Sequence, residues 1–505
     1  MIHRYHDGTK HSFQRFARSL AYLDWASQPN PFRSFAGAPV TALSPRPDAP
    51  ASPLGTILRH ALGLTAWKQF RQSRWSLRAN PSSGNLHPTE AYVIASAEQR
   101  ATLSHYAPDQ HALEQRCVFD ATLPPDVALV ALTSIHWREA WKYGERAFRY
   151  CQHDLGHAIA AIRFAASLAG WTARLLPEWS HTDISSLTGI DRDDDYAEAE
   201  REEAGCVVVV SRKSKVESAG SPVVSRESIL DGVQRGQWSG RANQLSEDHV
   251  QWTFIDEIAE ATRDPGRAGS NPPAPLGDSA RPAPPAAIIL QRRSAVAFDR
   301  HSSIHVDRAI AMLAATMPDG APFDALWWGA RIHLALFVHR VDGLEPGVYL
   351  LIREPESGDR LRSALRRDFL FEPASDRVPL LRLARSDCRS LARRLSCDQD
   401  IAADGFFSLG MIAEFDRSLD EYGPSFYRQL FWESGVVGQV LYLEAEAAGV
   451  RATGIGCFYD DPVHDVLGLT GHAFQSLYHF TIGVPVEDTR LTTEPGYSWE
   501  RFARR

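Results

Sequence analysis

The chain has no Cys-x-x-Cys pair, no Gly-x-Gly-x-x-Gly turn, no excess of basic charge, and no apolar run near the ~18 residues that a membrane-spanning helix needs. Each absence closes a class. Without paired thiols, Cys117, Cys151, Cys206, Cys388, Cys397 and Cys457 offer neither a zinc ribbon, a thioredoxin motif nor a dense disulfide framework, and a reducing cytosol suits them. Without the glycine fingerprint a dinucleotide-binding Rossmann domain is not expected. A formal net charge of −8 and a pI near 6.2 give no global attraction to nucleic acid or to an anionic membrane, although a local basic pocket can still hold a phosphate. The stretch Met1 to Ser19 carries His3, Arg4, His6, Lys10, His11, Arg15 and Arg18 around no apolar core, so it does not read as a secretory signal. The acidic run Asp191-Arg192-Asp193-Asp194-Asp195 lacks the calcium-loop spacing with its closing Glu and reads as a solvated loop. The expectation is a soluble, cytoplasmic protein with no metal site and no nucleic-acid or membrane partner.

What is present is enough chain for more than one core. A single core usually stops growing at roughly 250–300 residues, and 505 residues with an ordinary 44% of hydrophobic side chains predict two domains. Between about Ser214 and Pro285 the composition changes and ends in a Gly/Pro/Ala/Ser-rich stretch, Pro265 to Pro285, so residues 214–285 read as a connector. Within it, Ile229, Val233, Trp238, Val250, Trp252, Ile255 and Ile258 give Ser228 to Arg263 enough apolar anchors for short helices. The expected domains are then 1–213 and 286–505.

The flanks repeat. Phe148 to Gly170 lies over Tyr427 to Gly449 without a gap, pairing Arg149 with Arg428, Asp154 with Glu433 and Gly156 with Gly435, and the same register pairs Ala173 with Ala452. Both stretches carry apolar residues at helical spacing and end in a glycine suited to the left-handed position past a helix. Any two buried helices rich in Ala and Gly would align comparably, so the strands matter as well. Short β-branched and aromatic runs occur at Glu90 to Ser96 and Cys206 to Ser211 on the left, and at Ile332 to His339 and Tyr478 to Val484 on the right. A few strands among longer helices, without a regular βαβ series, predict an α+β fold.

Two local features carry chemistry. Arg292-Arg293-Ser294 sets two guanidiniums and a hydroxyl together just past the Pro-rich stretch, a composition that binds anions and equally describes a solvated edge. Arg78 to Tyr92 runs RANPSSGNLHPTEAY into a strand, and its Pro, Ser, Gly and Asn residues predict a tight loop that presents backbone N–H donors.

The loop Asn80 to Tyr92, the run Trp141 to Tyr150 (WKYGERAFRY), Arg292 to Ser294 and the later Gly454 to Asp461 (GIGCFYDD) resemble the nitroreductase superfamily. Within it they resemble the SagB/ThcOx-type FMN-dependent dehydrogenases, some of which are tandem fusions of two such domains. The resemblance implies two nitroreductase-like domains fused as an intramolecular pseudo-dimer, with FMN gripped by Arg292, Arg293 and Ser294 and met by Pro81, Ser82, Ser83, Gly84 and Asn85 from the other half. It implies that Gly454, Ile455 and Gly456 approach the flavin edge and that Arg490 reaches the phosphate; His87, inside the loop, is a candidate to contact substrate or flavin and equally to satisfy a backbone carbonyl. Lys142 and Tyr143 match a pair used around the substrate in azoline-oxidising members, where a Lys takes a proton and a Tyr hydroxyl orients or relays it. The mirror-related site looks degenerate, with Leu23-Asp24-Trp25-Ala26 in place of an RRS triplet and Met317-Pro318-Asp319-Gly320 in place of a PSSGN loop, so one FMN per chain is expected. Nitro or quinone reduction driven by NADH or NADPH, oxidation of a peptide azoline to an azole, and flavin binding without turnover all stay open at this point. The substrate is a small molecule or a peptide.

Overall fold

The computed structural model describes residues 1–20, 22–44, 51–97, 100–212, 225–267 and 283–501. The chain forms two compact units: an N unit of Ser19–Ala286, Gly320–Trp327 and Arg490–Arg505, and a C unit of Met1–Arg18, Ala287–Asp319 and Trp328–Thr489.

The N unit is built on strands β1 (Thr89–Ala97), β2 (Arg100–Ala107), β3 (Ala112–Asp120), β4 (Val127–Ser134), β5 (Trp171–Leu175) and β6 (Glu203–Arg212). They lie in the order β3-β2-β1-β4-β6-β5, antiparallel throughout. Between β4 and β5 the chain makes helices α1 (His136–Tyr143) and α2 (Ala147–Leu168). Strand β4, Val-Ala-Leu-Val-Ala-Leu-Thr-Ser, is buried at every position, so the sheet is covered on both faces at its centre. Helix α2 is buried over nearly its whole length, and Gly156, Ala158, Ala160 and Ala161 keep it slim enough to pass through the interior. Gly170, at φ 72°, stops it.

The C unit repeats this plan with β7 (Ile332–Val338), β8 (Gly347–Leu351), β9 (Leu380–Arg385), β10 (Phe407–Glu414), β11 (Arg451–Ile455) and β12 (Phe474–Gly483). Their order, β9-β8-β7-β10-β12-β11, is the N unit's order element for element, again antiparallel. Helices α3 (Phe415–Tyr422) and α4 (Phe426–Ala447) connect β10 to β11 and match α1 and α2 in length, at 8 and 22 residues. Gly449 ends α4 at φ 76°. The ungapped pairing of residues 148–170 with 427–449 is thus a pairing of equivalent helices in two α+β domains of one topology.

Each chain end is folded into the unit that the opposite half builds. In the C unit, Tyr5 is fully buried and packs edge-on to Tyr427, while the His6 ring bonds Gln475 at 2.9 Å. In the N unit, Thr492–Pro495 pairs with the strand Leu64–Phe70, and the Tyr497 hydroxyl donates to the Pro108 carbonyl at 2.6 Å. Of residues 214–285, the described parts belong to the N unit. Helices Arg226–Gln234 and Thr253–Ala261 form where the apolar anchors predict them, and Gln237–Trp238 adds an edge strand to β3. Most of the stretch Pro265 to Pro285, residues 268–282, lies outside the described residues.

The run Asp191 to Asp195 is not simply a solvated loop. Asp195 pairs with the buried Arg116 at 2.7 Å and with Arg192 at 2.8 Å, because a guanidinium sealed inside the sheet needs a carboxylate to balance it. Among the described residues no helix is long and apolar enough to cross a membrane.

Candidate functional site

In the N unit the loop Asn80 to Tyr92 is held from three sides. Asp154, on α2, accepts the Ser83 backbone N–H at 3.1 and 3.2 Å and the Ser83 hydroxyl at 3.3 Å. Gly84 sits at φ 58° with the Tyr143 hydroxyl so close that a Cβ added there would lie 2.5 Å from it, so only glycine suits both the backbone and the space. Glu90, at the start of β1, pairs with Arg138 and with His105 (3.0 Å), and His105 reaches Glu114 at 2.9 Å on its other nitrogen. Arg138 in turn donates to the His87 carbonyl at 2.8 Å. Burial would raise the Glu90 carboxyl, but the Arg138 charge and the His105 hydrogen bond outweigh it and hold it at about 2. Burial would likewise lower His105, but its two carboxylate partners lift it to about 9.

The remaining expected residues of this loop fall into place around that frame. Pro81 is buried, and Asn85, at φ 61°, donates its amide to the Ser76 carbonyl at 2.9 Å. His87 is 2% exposed, its ring set between the Ser82 hydroxyl (3.1 Å) and the Ser76 carbonyl (3.4 Å). Burial, then the Arg78 charge, keeps it far below the ordinary histidine range, so it is neutral. Asn85 and His87 border a cleft of about 350 Å³ whose walls include Phe32, Trp67 and Trp75.

Lys142 and Tyr143 close α1 next to the loop. The Lys142 ammonium lies 5.8 Å from the centre of the Trp25 ring and 5.2 Å from that of Tyr143, so the segment Leu23 to Ala26 supplies an aromatic wall to this lysine. Burial lowers the Lys142 amine, and nearby Glu139 works against it. Glu139 and Asp154 are a fully buried carboxyl pair, and burial together with their mutual repulsion pushes Glu139 well above the usual carboxylate range. Asp154 is also raised by burial, against the Ser83 hydrogen bonds. Burial and proximity thus both work against ionising the two carboxyls together.

In the C unit two segments far apart in sequence meet on one hydroxyl. The Tyr442 oxygen on α4 lies 2.8 Å from Ser294 Oγ and accepts the Gly454 N–H at 3.0 Å, while the Arg292 guanidinium stacks 5.0 Å from the Tyr442 ring. Ser294 pairs with Ala452 in a parallel bridge, and Thr453 Oγ1 donates to the Ala295 carbonyl at 2.7 Å. Arg292 is buried, which lowers its guanidinium against the favourable influence of Tyr442 and Glu446. Arg293 turns its guanidinium to the Leu290 and Arg292 carbonyls at 3.0 and 2.6 Å. Gly454 is needed by its neighbours, because a Cβ there would lie 2.1 Å from the Tyr478 hydroxyl. Two guanidiniums, a hydroxyl and a side-chain-free strand edge form a donor set that fits a phosphate and the polar rim of a flat ring. Arg490 belongs to the N unit, exposed, with its guanidinium 5.5 Å from the Phe70 ring.

The acid that grips the Ser83 loop has its counterpart in the C unit. Glu433, paired with Asp154 in the repeat, accepts the N–H groups of Arg331 (2.9 Å) and Ile332 (3.2 Å), the Trp328 indole N–H (3.2 Å) and Arg353 (2.6 Å). Glu433 thus holds Trp328 to Ile332 against α4 as Asp154 holds the Ser83 turn against α2. Sequence reading placed Asp154 and Glu433 in register but gave them no task, met Trp25 only as part of a degenerate motif, and passed over Glu139 and Tyr442.

Residues 343–484 match the nitroreductase family model. No curated protein matches the chain. Among solved structures, one described as a candidate nitroreductase from Anabaena variabilis is similar over 96% of this chain and 99% of its own, at 21% identity and a TM-score of 0.73. That likeness shows the nitroreductase fold. The E. coli microcin synthetase complex McbBCD with a truncated precursor bound aligns over 44% of this chain and 77% of its own, at 18% identity and a TM-score of 0.30. The NADPH:FMN oxidoreductase from Vibrio harveyi aligns over 40% of this chain and 68% of its own, at 14% identity and a TM-score of 0.23.

Proposed function

We propose that the chain is an FMN-dependent oxidoreductase of the SagB-like tandem kind, acting in the cytoplasm on a small-molecule or peptide substrate. The observation that carries this reading is the meeting of Arg292, Ser294 and Gly454 on Tyr442 inside a domain of nitroreductase fold. Those segments carry the sequence resemblance, and nothing in their spacing requires them to touch. FMN, when bound, would supply the hydride-accepting and hydride-donating ring. On this reading Arg292, Arg293 and Ser294 bind its phosphate and pyrimidine, and Gly454, Ile455 and Gly456 border the ring, while Pro81, Ser82, Ser83, Gly84, Asn85 and Arg490 are cofactor contacts by the sequence resemblance alone. One FMN per chain follows from the degenerate second set of motifs. Lys142 Nζ receives the substrate proton, the Tyr143 hydroxyl orients it, and His87 borders the substrate as a neutral group.

Purified full-length protein should show the absorption bands of a flavin at close to one FMN per chain. A ratio near two would contradict the asymmetry, and failure of FMN to bind on reconstitution would end the reading. Rapid bleaching on mixing with NADH or NADPH supports a reductase. A flavin that neither nicotinamide nor any azoline substrate reduces supports an inert binder.

A second reading, azoline-to-azole dehydrogenation of a peptide, is favoured by the lowered Lys142 amine beside Tyr143 and Gly84. Azoline oxidation that survives replacement of both residues would remove it.

A further inference from the structure

We propose that His11, Cys397 and Cys457 bind one thiophilic divalent cation, of which Zn²⁺ is the fitting example. The ligating atoms of the three residues lie within 4.8 Å of one another, with Cys457 Sγ 3.0 Å from Cys397 Sγ and 3.7 Å from His11 Nδ1. All three belong to the C unit. Two thiolates and a neutral imidazole are a soft donor set that zinc prefers over oxygen-seeking magnesium or calcium, and they cancel its charge.

The site is built by its surroundings. Cys397 follows the helix Arg389–Leu395 in a turn where it and Asp398 take φ 53° and 59°, a conformation that non-glycine residues seldom adopt. The Gln399 amide donates to the Ser396 carbonyl at 2.8 Å and to the Cys457 carbonyl at 3.0 Å, and the Tyr459 N–H donates to the Leu395 carbonyl at 2.8 Å. These bonds stitch the cysteine turn to the segment after β11. The His11 N–H donates to the Asp460 carboxylate at 2.8 Å, and the Asp460 N–H to the His11 carbonyl at 2.9 Å, fixing the third ligand's backbone. Phe13 and Phe16 pack on Tyr459 at 4.9 and 5.7 Å, and the Phe16 ring lies 4.8 Å from that of His11.

The competing use of two close thiols is a disulfide. Two sulfurs on one tetrahedral zinc, each about 2.3 Å from it, stand about 3.7 Å apart, so the pair would part by about 0.7 Å; a disulfide would draw it in to about 2.0 Å and pass two electrons to an oxidant. The imidazole decides between them, since its Nδ1 already stands from Cys457 Sγ at a spacing close to a tetrahedral edge and a disulfide has no use for it. Zinc binding releases the thiol protons to solvent and closes a loop joining residue 11 to residues 397 and 457. The protein provides three ligands, leaving a fourth position to water or another small donor.

Full-length protein, stripped with a chelator and reloaded with Zn²⁺ alone, should hold one equivalent by elemental analysis. Cys397→Ser and Cys457→Ser should each lower zinc affinity by about tenfold or more and His11→Ala by several-fold, while Cys206→Ser retains it. If the variants fold poorly, the wild-type protein answers alone. Zinc should protect the Cys397 and Cys457 thiols from alkylation under native conditions, and the chelator should expose them. Unchanged zinc in the cysteine variants, thiols alkylated equally with and without zinc, or a Cys397–Cys457 cross-linked peptide from freshly purified protein would overturn the proposal.

Discussion

Replacing His105 with Gln tests whether the carboxylate cage behind the loop Asn80 to Tyr92 works as the geometry says. His105 is fully buried between Glu90 and Glu114, at 3.0 and 2.9 Å, and its folded value is lifted from 6.5 to about 9. A raised histidine binds its proton more tightly in the folded than in the unfolded chain. Its contribution is therefore complete below about pH 6.5 and is lost as the pH climbs through about 9. At about 1.4 kcal/mol per unit of displacement, the loss across that window is about 3 kcal/mol as an upper figure. With a urea slope of about 3 kcal/mol/M for a domain of this size, the unfolding midpoint of the N unit should drop by about 1 M between about pH 6 and pH 9.5. Cys117 and Cys206 are buried N-unit thiols, so their alkylation in a urea series, normalised at each pH to the unfolded chain, reads that unit alone. The His105→Gln protein should start less stable at pH 6 and show little of the alkaline fall. An equal fall in both proteins would refute the cage as the source.

Tyr442→Phe removes the oxygen shared by Ser294 and Gly454. Two hydrogen bonds at about 1 kcal/mol each predict FMN retention weakened by about tenfold or more, measured by flavin fluorescence on dilution. Lys142→Met and Tyr143→Phe should leave the flavin spectrum intact while lowering turnover by about 10²-fold or more, and full turnover in both would strip them of a catalytic role. In the C unit, Glu433→Gln should cost about 3 kcal/mol or more by leaving the buried Arg353 opposite an uncharged amide, read by urea-dependent alkylation of Cys388. The double variant with Arg353→Met should recover part of that loss.

The duplicated long helix was legible because its signal is local and dense. Nearly every position of α2 and α4 is buried, so composition and register survive side by side. Strands β1, β6, β7 and β12 were legible for the same reason, whereas β4 and β10, buried at every position, went unread. Strands β2 and β3 were not legible, because Arg-Ala-Thr-Leu-Ser-His-Tyr-Ala and Ala-Leu-Glu-Gln-Arg-Cys-Val-Phe-Asp place polar residues inside, where Glu114 meets His105 across the two strands and Asp195 meets Arg116. In sequence such residues read as surface. Candidate-site motifs were visible as compositions, while Tyr442 and Glu139 were invisible, since a tyrosine and a glutamate on helices carry no mark of the loops they meet. The His11, Cys397 and Cys457 cluster had no local spacing to betray it, its members being brought together from three remote stretches of chain.

The way each terminal segment is embedded bears on how this protein can be dissected. Residues 1–18 complete the core around α4, and the stretch from residue 490 onward completes the edge of the sheet at Leu64–Phe70. A cut anywhere in 268–282 would thus leave two fragments that each carry the other's missing piece. Such fragments should be expressed together, and trimming either tail as disposable would strip buried aromatic side chains from the half whose sequence lies farthest away.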